Sequence, residues 1–135
     1  MPSGQANENT VVLMMDRDDE DVQLITSLLE KTGFQVILSS AKADLLNLCR
    51  ALHHSVQLVI IDTETRGIQI QELLDELKTA DPKARILLMC KNEPEPVREW
   101  SVTGNVRGML NRPFRRAQFL GSVLEVAKQP LVRTA

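Results

Sequence analysis

The sequence predicts an α/β fold in which helices cover both faces of a parallel sheet. Five apolar runs of about five residues occur along the chain. Their apolar residues do not alternate with polar ones, as is typical of strands that are buried on both faces. Between the runs, apolar residues recur at the spacing of one helix face. A strand followed by a helix, repeated along the whole chain, predicts a parallel sheet between two helical layers.

The predicted elements follow one another in order. Strands are expected at 11–15, 34–38, 58–61 and 86–90, with a weaker one at 106–110. The first helix contains Val22, Ile25 and Leu29 and ends at Gly33. Three further helices have apolar residues at positions i, i+3, i+4 and i+7: Leu45, Leu48, Cys49 and Leu52; Ile70, Leu73, Leu74 and Leu77; Leu120, Val123, Leu124 and Ala127. The weakest helix prediction covers 94–102, where Pro94 lies near the first turn and Trp100 is the main apolar residue.

The length of 135 residues predicts one domain. We expect a flexible polar arm at 1–9, the domain at 10–128 and a short tail at 129–135, with no effector domain attached. The chain is 43% hydrophobic and 25% charged, so it is expected to form an ordinary globular core without a disulfide or a structural metal.

Composition also argues against several classes of function. A net charge of −2 disfavours nucleic acid as a partner. Aromatic residues make up only 3% of the chain and tyrosine is missing, which weighs against base stacking and flavin binding. No apolar run approaches the ~20 residues of a membrane span, and the polar first residues do not resemble a signal peptide. Cys49 and Cys90 both lie in apolar runs, so we expect buried thiols in a reducing cytoplasm.

Polar side chains follow directly on several predicted strands. Asp16 follows the first strand, Asp62 the third, and Arg112 comes shortly after the fifth. In an open α/β sheet, ligands bind at the carboxyl ends of the strands, where the strand order reverses. A carboxylate beside a buried strand is costly unless another group pairs with it. We therefore expect Asp16, Asp62 and Arg112 to lie close together in one pocket.

The order and spacing of several segments resemble the receiver domain of two-component response regulators. These segments are Met14-Met15-Asp16, Gly33-Phe34, the strand that ends in Asp62, the turn and strand at 81–89, and Arg112-Pro113-Phe114. The resemblance covers about residues 10–128. It implies a flavodoxin-like three-layer sandwich with five helices and five parallel strands in the order 2-1-3-4-5. It also implies a cytoplasmic phosphorelay protein that is not an enzyme and signals by protein–protein contact.

The same resemblance implies roles for individual residues. Asp62 corresponds to the phosphoacceptor, Cys90 to a position that normally holds a hydroxyl, and Arg112 to a lysine that binds the phosphoryl oxygens. A divalent metal such as Mg²⁺ would be held by Asp16, Asp62 and Glu64. The partner would be a histidine kinase or another signalling protein. Trp100 and Met109 fall on the surface formed by the predicted fourth helix, fifth strand and fifth helix, which in this family contacts partners or forms a homodimer.

The sequence departs from the family pattern at Arg17, which stands where the second metal-binding acidic residue is expected. Two alternatives follow. Arg17 points away from the pocket, and Mg²⁺ binds among the carboxylates; or Arg17 pairs with Asp62 as an internal counterion. In the second case the chain is a pseudo-receiver, a docking module that is not phosphorylated and binds no metal. A small enzyme is a third reading, but no Ser-His or Cys-His arrangement and no phosphate-binding glycine loop is evident.

Overall fold

The computed structural model describes residues 11–15, 19–52, 55–63, 69–90, 105–112 and 114–128. The strands are β1 (Val11–Met15), β2 (Gln35–Leu38), β3 (Val56–Asp62), β4 (Ile86–Cys90) and β5 (Val106–Asn111). The helices in these ranges are α1 (Asp19–Lys31), α2 (Lys42–Ala51), α3 (Ile70–Ala80) and α4 (Arg116–Lys128). The predicted arm, tail and helix at 94–102 lie outside the described residues, so α4 corresponds to the predicted fifth helix.

The five strands form one parallel sheet in the order β2-β1-β3-β4-β5, which confirms the predicted topology. Met15 pairs with Ile61, and Asp62 pairs with Met89, so β3 lies at the centre of the sheet. The chain runs outward from β1 to β2 and then crosses back to β3. The strand order therefore reverses between β1 and β3, and the carboxyl ends of these strands form the crevice where ligands of such sheets bind.

Two apolar layers cover the sheet, one on each face. The layer beneath α2 and α3 contains Leu13, Ile61 and Leu88, and the layer beneath α1 and α4 contains Val12 and Ile60. Neighbouring residues of one strand point to opposite faces, so a strand that contributes to both layers must be apolar at every position. Val12, Ile60 and Leu88, which we expected to be buried, are 0% exposed.

The edge strand β2 differs from the prediction that each strand is covered on both faces. Its two central residues are half-buried, and Leu38 at its end is 51% exposed. Among the described strands, β2 pairs with β1 alone, so it forms one edge of the sheet. β3 is longer than predicted, because it begins at Val56 and includes Asp62 as its last residue.

The ends and faces of the helices follow from local chemistry. After α1, Gly33 has φ of 103°, its N–H donates to Glu30 O, and Phe34 N–H donates to Leu29 O, each at 3.0 Å. This is the Schellman arrangement that favours glycine after a helix. The predicted face of α4 was wrong in part: Phe119, Val123, Val126 and Ala127 are buried, whereas Leu120 is half-buried and Leu124 is 36% exposed. Within the described residues, no helix combines the length and apolar character needed to cross a membrane.

Candidate functional site

Asp62 lies at the carboxyl end of the central strand, and its position is fixed by backbone pairing with β4. Asp62 itself pairs with Met89 on β4, and the next residue, Thr63, donates its N–H to Met89 O at 2.9 Å. The residue is only 1% exposed. A carboxylate that is so completely buried needs a positive partner, since an isolated charge is strongly disfavoured in the interior.

Arg112 supplies a positive partner from the end of β5. Its Nη2 lies 3.3 Å from Oδ2 of Asp62, and its side chain is 16% exposed. Its backbone N–H donates to Cys90 O at 2.7 Å, which holds the start of the side chain against the end of β4. The long side chain thus spans the width of β4 to reach the central strand. The structure thus brings Asp62 and Arg112 together, whereas the position of Asp16, the third residue of the predicted pocket, stays a prediction.

Two phenylalanine rings connect the guanidinium group of Arg112 to α4. Cζ of Arg112 lies over the ring of Phe114, 6.0 Å from its centroid. The ring of Phe114 stacks on that of Phe119, with centroids 5.5 Å apart and planes at 21°. Phe119 is fully buried in the first turns of α4. Phe114 was expected only as part of the segment Arg112-Pro113-Phe114, and Phe119 was not predicted; the available signal was an aromatic residue two positions after Arg112.

Cys90 lies at the end of β4, 0% exposed, and belongs to the apolar layer beneath α2 and α3. It contributes a backbone carbonyl to the site through the hydrogen bond from Arg112. Cys49 is buried in the same layer, where burial raises the pKa of its thiol to about 12 and the negative charge of Asp81 adds to the shift. Cys49 and Cys90 are both buried cysteines, as predicted.

The remaining predicted site residues are only partly tested by the structure. Met109 is half-buried on β5 and packs against the apolar layer beneath α2 and α3. Asp16, Arg17, Glu64 and Trp100 lie outside the described residues. Among the residues that are described, no group of three His, Cys, Asp or Glu side chains could hold a metal ion. The described part of the pocket therefore supplies Asp62 alone toward the predicted Mg²⁺ site, and the positions of the other ligands stay predictions.

Comparison with known proteins identifies structural relatives but no sequence relatives. No family model matches the chain, and no curated protein matches it. Among solved structures, a response regulator receiver domain protein from Clostridium thermocellum is 18% identical, with a TM-score of 0.76 over 87% of this chain and 94% of that one. The receiver domain of a sensor histidine kinase from Pseudomonas aeruginosa, solved with a magnesium ion in its active site cleft, is 14% identical, with a TM-score of 0.76 over 90% and 99%.

A third similar structure is a response regulator from Burkholderia pseudomallei that contains a phosphorylated aspartic acid and a calcium ion. It is 19% identical, with a TM-score of 0.73 over 88% of this chain and 69% of that one. At such low identity the likeness establishes architecture. Together with the strand order and the buried aspartate at the end of β3, it shows that this chain has the fold of a response regulator receiver domain.

Proposed function

We propose that this chain is a receiver-type signalling domain of a phosphorelay, in which Asp62 accepts a phosphoryl group. The observation that carries the proposal is the buried Asp62 carboxylate at the end of the central strand, with the guanidinium of Arg112 at 3.3 Å. The donor would be a histidine kinase or another signalling protein. The domain acts through contact with partners and not as an enzyme on a small molecule.

The chemistry of the transfer uses the two charges that the fold brings together. A carboxylate oxygen of Asp62 attacks the phosphorus atom of the donor, and the bond from phosphorus to the leaving group breaks, so that the leaving group takes the electron pair. The product is an aspartyl phosphate. Negative charge on the phosphoryl oxygens must be neutralised in the transition state. Arg112 lies beside the attacking carboxylate and supplies one such positive charge.

A divalent cation would supply further neutralisation at this site when bound. Mg²⁺ prefers oxygen ligands and usually takes one or two carboxylates together with water. Asp62 provides one such carboxylate, and Asp16 and Glu64 are the proposed further ligands because they follow β1 and β3 in the sequence. Arg17, next to Asp16, is the residue whose orientation decides whether this metal site forms.

The phosphoacceptor role can be tested by intact-mass measurement after incubation with acetyl phosphate and Mg²⁺. We expect a mass increase of one phosphoryl group, which is lost on treatment with hydroxylamine because an acyl phosphate is labile to it. The Asp62→Asn variant is the control and should show no increase. Wild-type protein that gains no phosphoryl group, or an Asp62→Asn variant that gains one equally, would contradict the proposal.

The buried ion pair also supports a second candidate function, a pseudo-receiver that docks partners without phosphorylation. In this case Arg112 and Arg17 together neutralise Asp62 and Asp16, and the pocket is stable without a cation. A ligand raises stability only by RT ln(1 + [L]/Kd). In a pseudo-receiver the Kd for Mg²⁺ would lie far above the millimolar range, so millimolar Mg²⁺ should leave the melting temperature unchanged. The Arg17→Asp variant should melt lower without metal and rise on Mg²⁺ addition. A clear Mg²⁺-dependent rise in the wild-type chain would instead favour the working receiver.

The partner surface is proposed to include Met109, on the face formed by β5, α4 and the segment 94–102 that contains Trp100. Met109 is half-buried and packs against the apolar layer beneath α2 and α3, so part of its side chain is accessible. A homodimer through the same surface is the simplest assembly. Sedimentation of the wild-type chain and of a Met109→Lys variant tests it, since loss of self-association is expected only if this surface is the interface.

A further inference from the structure

We propose that Phe114 is a positioning residue for Arg112. Its ring holds the guanidinium in the orientation that faces Asp62, and it connects the charge state of Asp62 to the beginning of α4. As a role in phosphoryl chemistry, the proposal rests on the proposed function. The positioning itself concerns only the Asp62–Arg112 pair and can be tested in the unphosphorylated chain.

The first argument concerns the freedom of the arginine side chain. Arginine loses rotamer entropy when its long side chain is fixed. The ion pair joins Nη2 to Oδ2 at 3.3 Å, and the side chain is 16% exposed. An aromatic face 6.0 Å from Cζ constrains the plane of the guanidinium group, because the flat cation is attracted to the face of the ring.

The second argument concerns the identity of the cation. Arginine has a planar, delocalised charge that stacks on aromatic faces, whereas the lysine ammonium is a compact, strongly hydrated charge. The contact with Phe114 therefore gives position 112 a property that depends on arginine. The Arg112→Lys variant would keep the positive charge but lose the planar group that the ring orients.

The third argument concerns the packing of the Phe114 ring against α4. Phe114 is half-buried and packs against the apolar layer beneath α1 and α4. Its ring stacks on Phe119, which is 0% exposed and whose N–H donates to Arg115 O at 2.9 Å in the first turn of α4. Close-packed interiors transmit displacement because they contain little free volume. A turn of the guanidinium, driven by a change of charge at Asp62, would therefore displace Phe114 and in turn the beginning of α4.

The test is a double-mutant cycle on the ion pair, repeated in different backgrounds at position 114. The coupling between Asp62→Asn and Arg112→Met is measured from urea unfolding of the four chains of each cycle. In the wild-type background we expect a coupling factor of about tenfold in the unfolding equilibrium constant, within the usual range for contacting residues. In the Phe114→Leu background it should fall to about threefold or less, and in the Phe114→Tyr background, which keeps the ring face, it should return to about tenfold.

A purely structural role for Phe114 predicts a different result. The Phe114→Leu change would then lower stability but leave the coupling factor unchanged, and this outcome would overturn the proposal. Phe34 is the matched control, because it is another half-buried phenylalanine on the same apolar layer and makes no ring contact with Arg112 among the described contacts. The Phe34→Leu variant should lower stability without changing the coupling.

A second measurement covers the case in which the Phe114→Leu variants do not fold. In wild-type protein, the NMR signals of the Arg112 guanidinium should show the upfield ring-current shift of a group above an aromatic face, together with slow rotation about the Nε–Cζ bond. Unshifted signals with free rotation would overturn the proposal. Neither measurement involves phosphorylation. The positioning role of Phe114 can therefore be refuted while Asp62 is still phosphorylated, and it can be supported while Asp62 is not phosphorylated.

Discussion

The two side chains of the Asp62–Arg112 ion pair differ in exposure, so substituting one or the other should lower stability by different amounts. The Asp62 carboxylate is 1% exposed, whereas the Arg112 side chain is 16% exposed. At 3.3 Å and an effective dielectric constant of 20, the Coulomb attraction is about 5 kcal/mol before desolvation is counted. Much of this attraction is offset by desolvation, so the cost of breaking the pair depends mainly on which charge is left without this partner.

The Arg112→Met variant keeps most of the apolar stem but leaves a deeply buried carboxylate without this cation. We expect the free energy of unfolding to fall by about 3 kcal/mol. In the Asp62→Asn variant, the amide oxygen can still accept a hydrogen bond, and the long arginine side chain can direct its charge toward water. We expect a loss of about 1 kcal/mol there. For a domain of this size, the expected decreases in melting temperature are about 9–15 °C and about 3–5 °C, respectively.

Urea denaturation followed by far-UV circular dichroism measures both losses, and differential scanning calorimetry measures the melting temperatures. The Glu125→Gln variant is the control, since Glu125 is exposed on α4 and its loss should change stability by less than about 0.5 kcal/mol. The reasoning is refuted if Asp62→Asn destabilises the chain as much as Arg112→Met does. It is also refuted if Arg112→Met behaves like the surface control.

Three further predictions concern Cys49 and two glycines. Burial raises the pKa of the Cys49 thiol to about 12, so the folded state favours the neutral thiol. Stability should therefore fall as the pH rises from about 9 toward 12. Between about pH 8 and about pH 10.5, the free energy of unfolding should fall by about 2 kcal/mol less for Cys49→Ala than for wild type in urea titrations, and equal losses would count against the shift. A Cβ at Gly108 would lie 2.8 Å from Val126 Cγ2. Gly108→Ala should therefore lower the free energy of unfolding by about 1–3 kcal/mol, and adding Val126→Ala should recover part of that loss. At Gly121, within helix α4, a Cβ would meet no neighbouring atom. Gly121→Ala should therefore raise the free energy of unfolding by about 0.5–1 kcal/mol. The melting temperatures of the Gly108→Ala and Gly121→Ala variants should change in opposite directions.

Much of the fold could be predicted from the sequence because central strands of a parallel sheet must be apolar at every position. β1 and β4 are buried throughout and match their predicted bounds. The edge strand β2 was less predictable, since its apolar run looks like that of a central strand although only one neighbour covers it. The face of α4 was misjudged because Leu120 and Phe119 both fit a helical repeat, and only packing against the sheet selects the buried one.

The site was predictable where it depends on strand ends and unpredictable where it depends on side-chain rotamers. Asp62 and Arg112 follow apolar runs, so the topology alone brings them to one edge of the sheet. The stacking of Phe114 between Arg112 and Phe119 depends on the direction of the chain after β5, which no local pattern encodes. Whether Asp16 and Glu64 complete a metal site stays a prediction, because both residues lie outside the described ranges.

The length of the ion pair bears on the choice between a working receiver and a pseudo-receiver. Tight charge-assisted hydrogen bonds from nitrogen to a carboxylate are about 2.7–2.9 Å long, whereas Nη2 of Arg112 and Oδ2 of Asp62 are 3.3 Å apart. Phosphoryl transfer to Asp62 would therefore sacrifice a loose contact and replace it with a more strongly negative partner for the same cation. In the proposed receiver, Arg112 would therefore favour the phosphorylated product more than it stabilises the free carboxylate. The proposed choice then depends on position 17, where this chain has an arginine and the family resemblance implies a carboxylate that holds the metal ion.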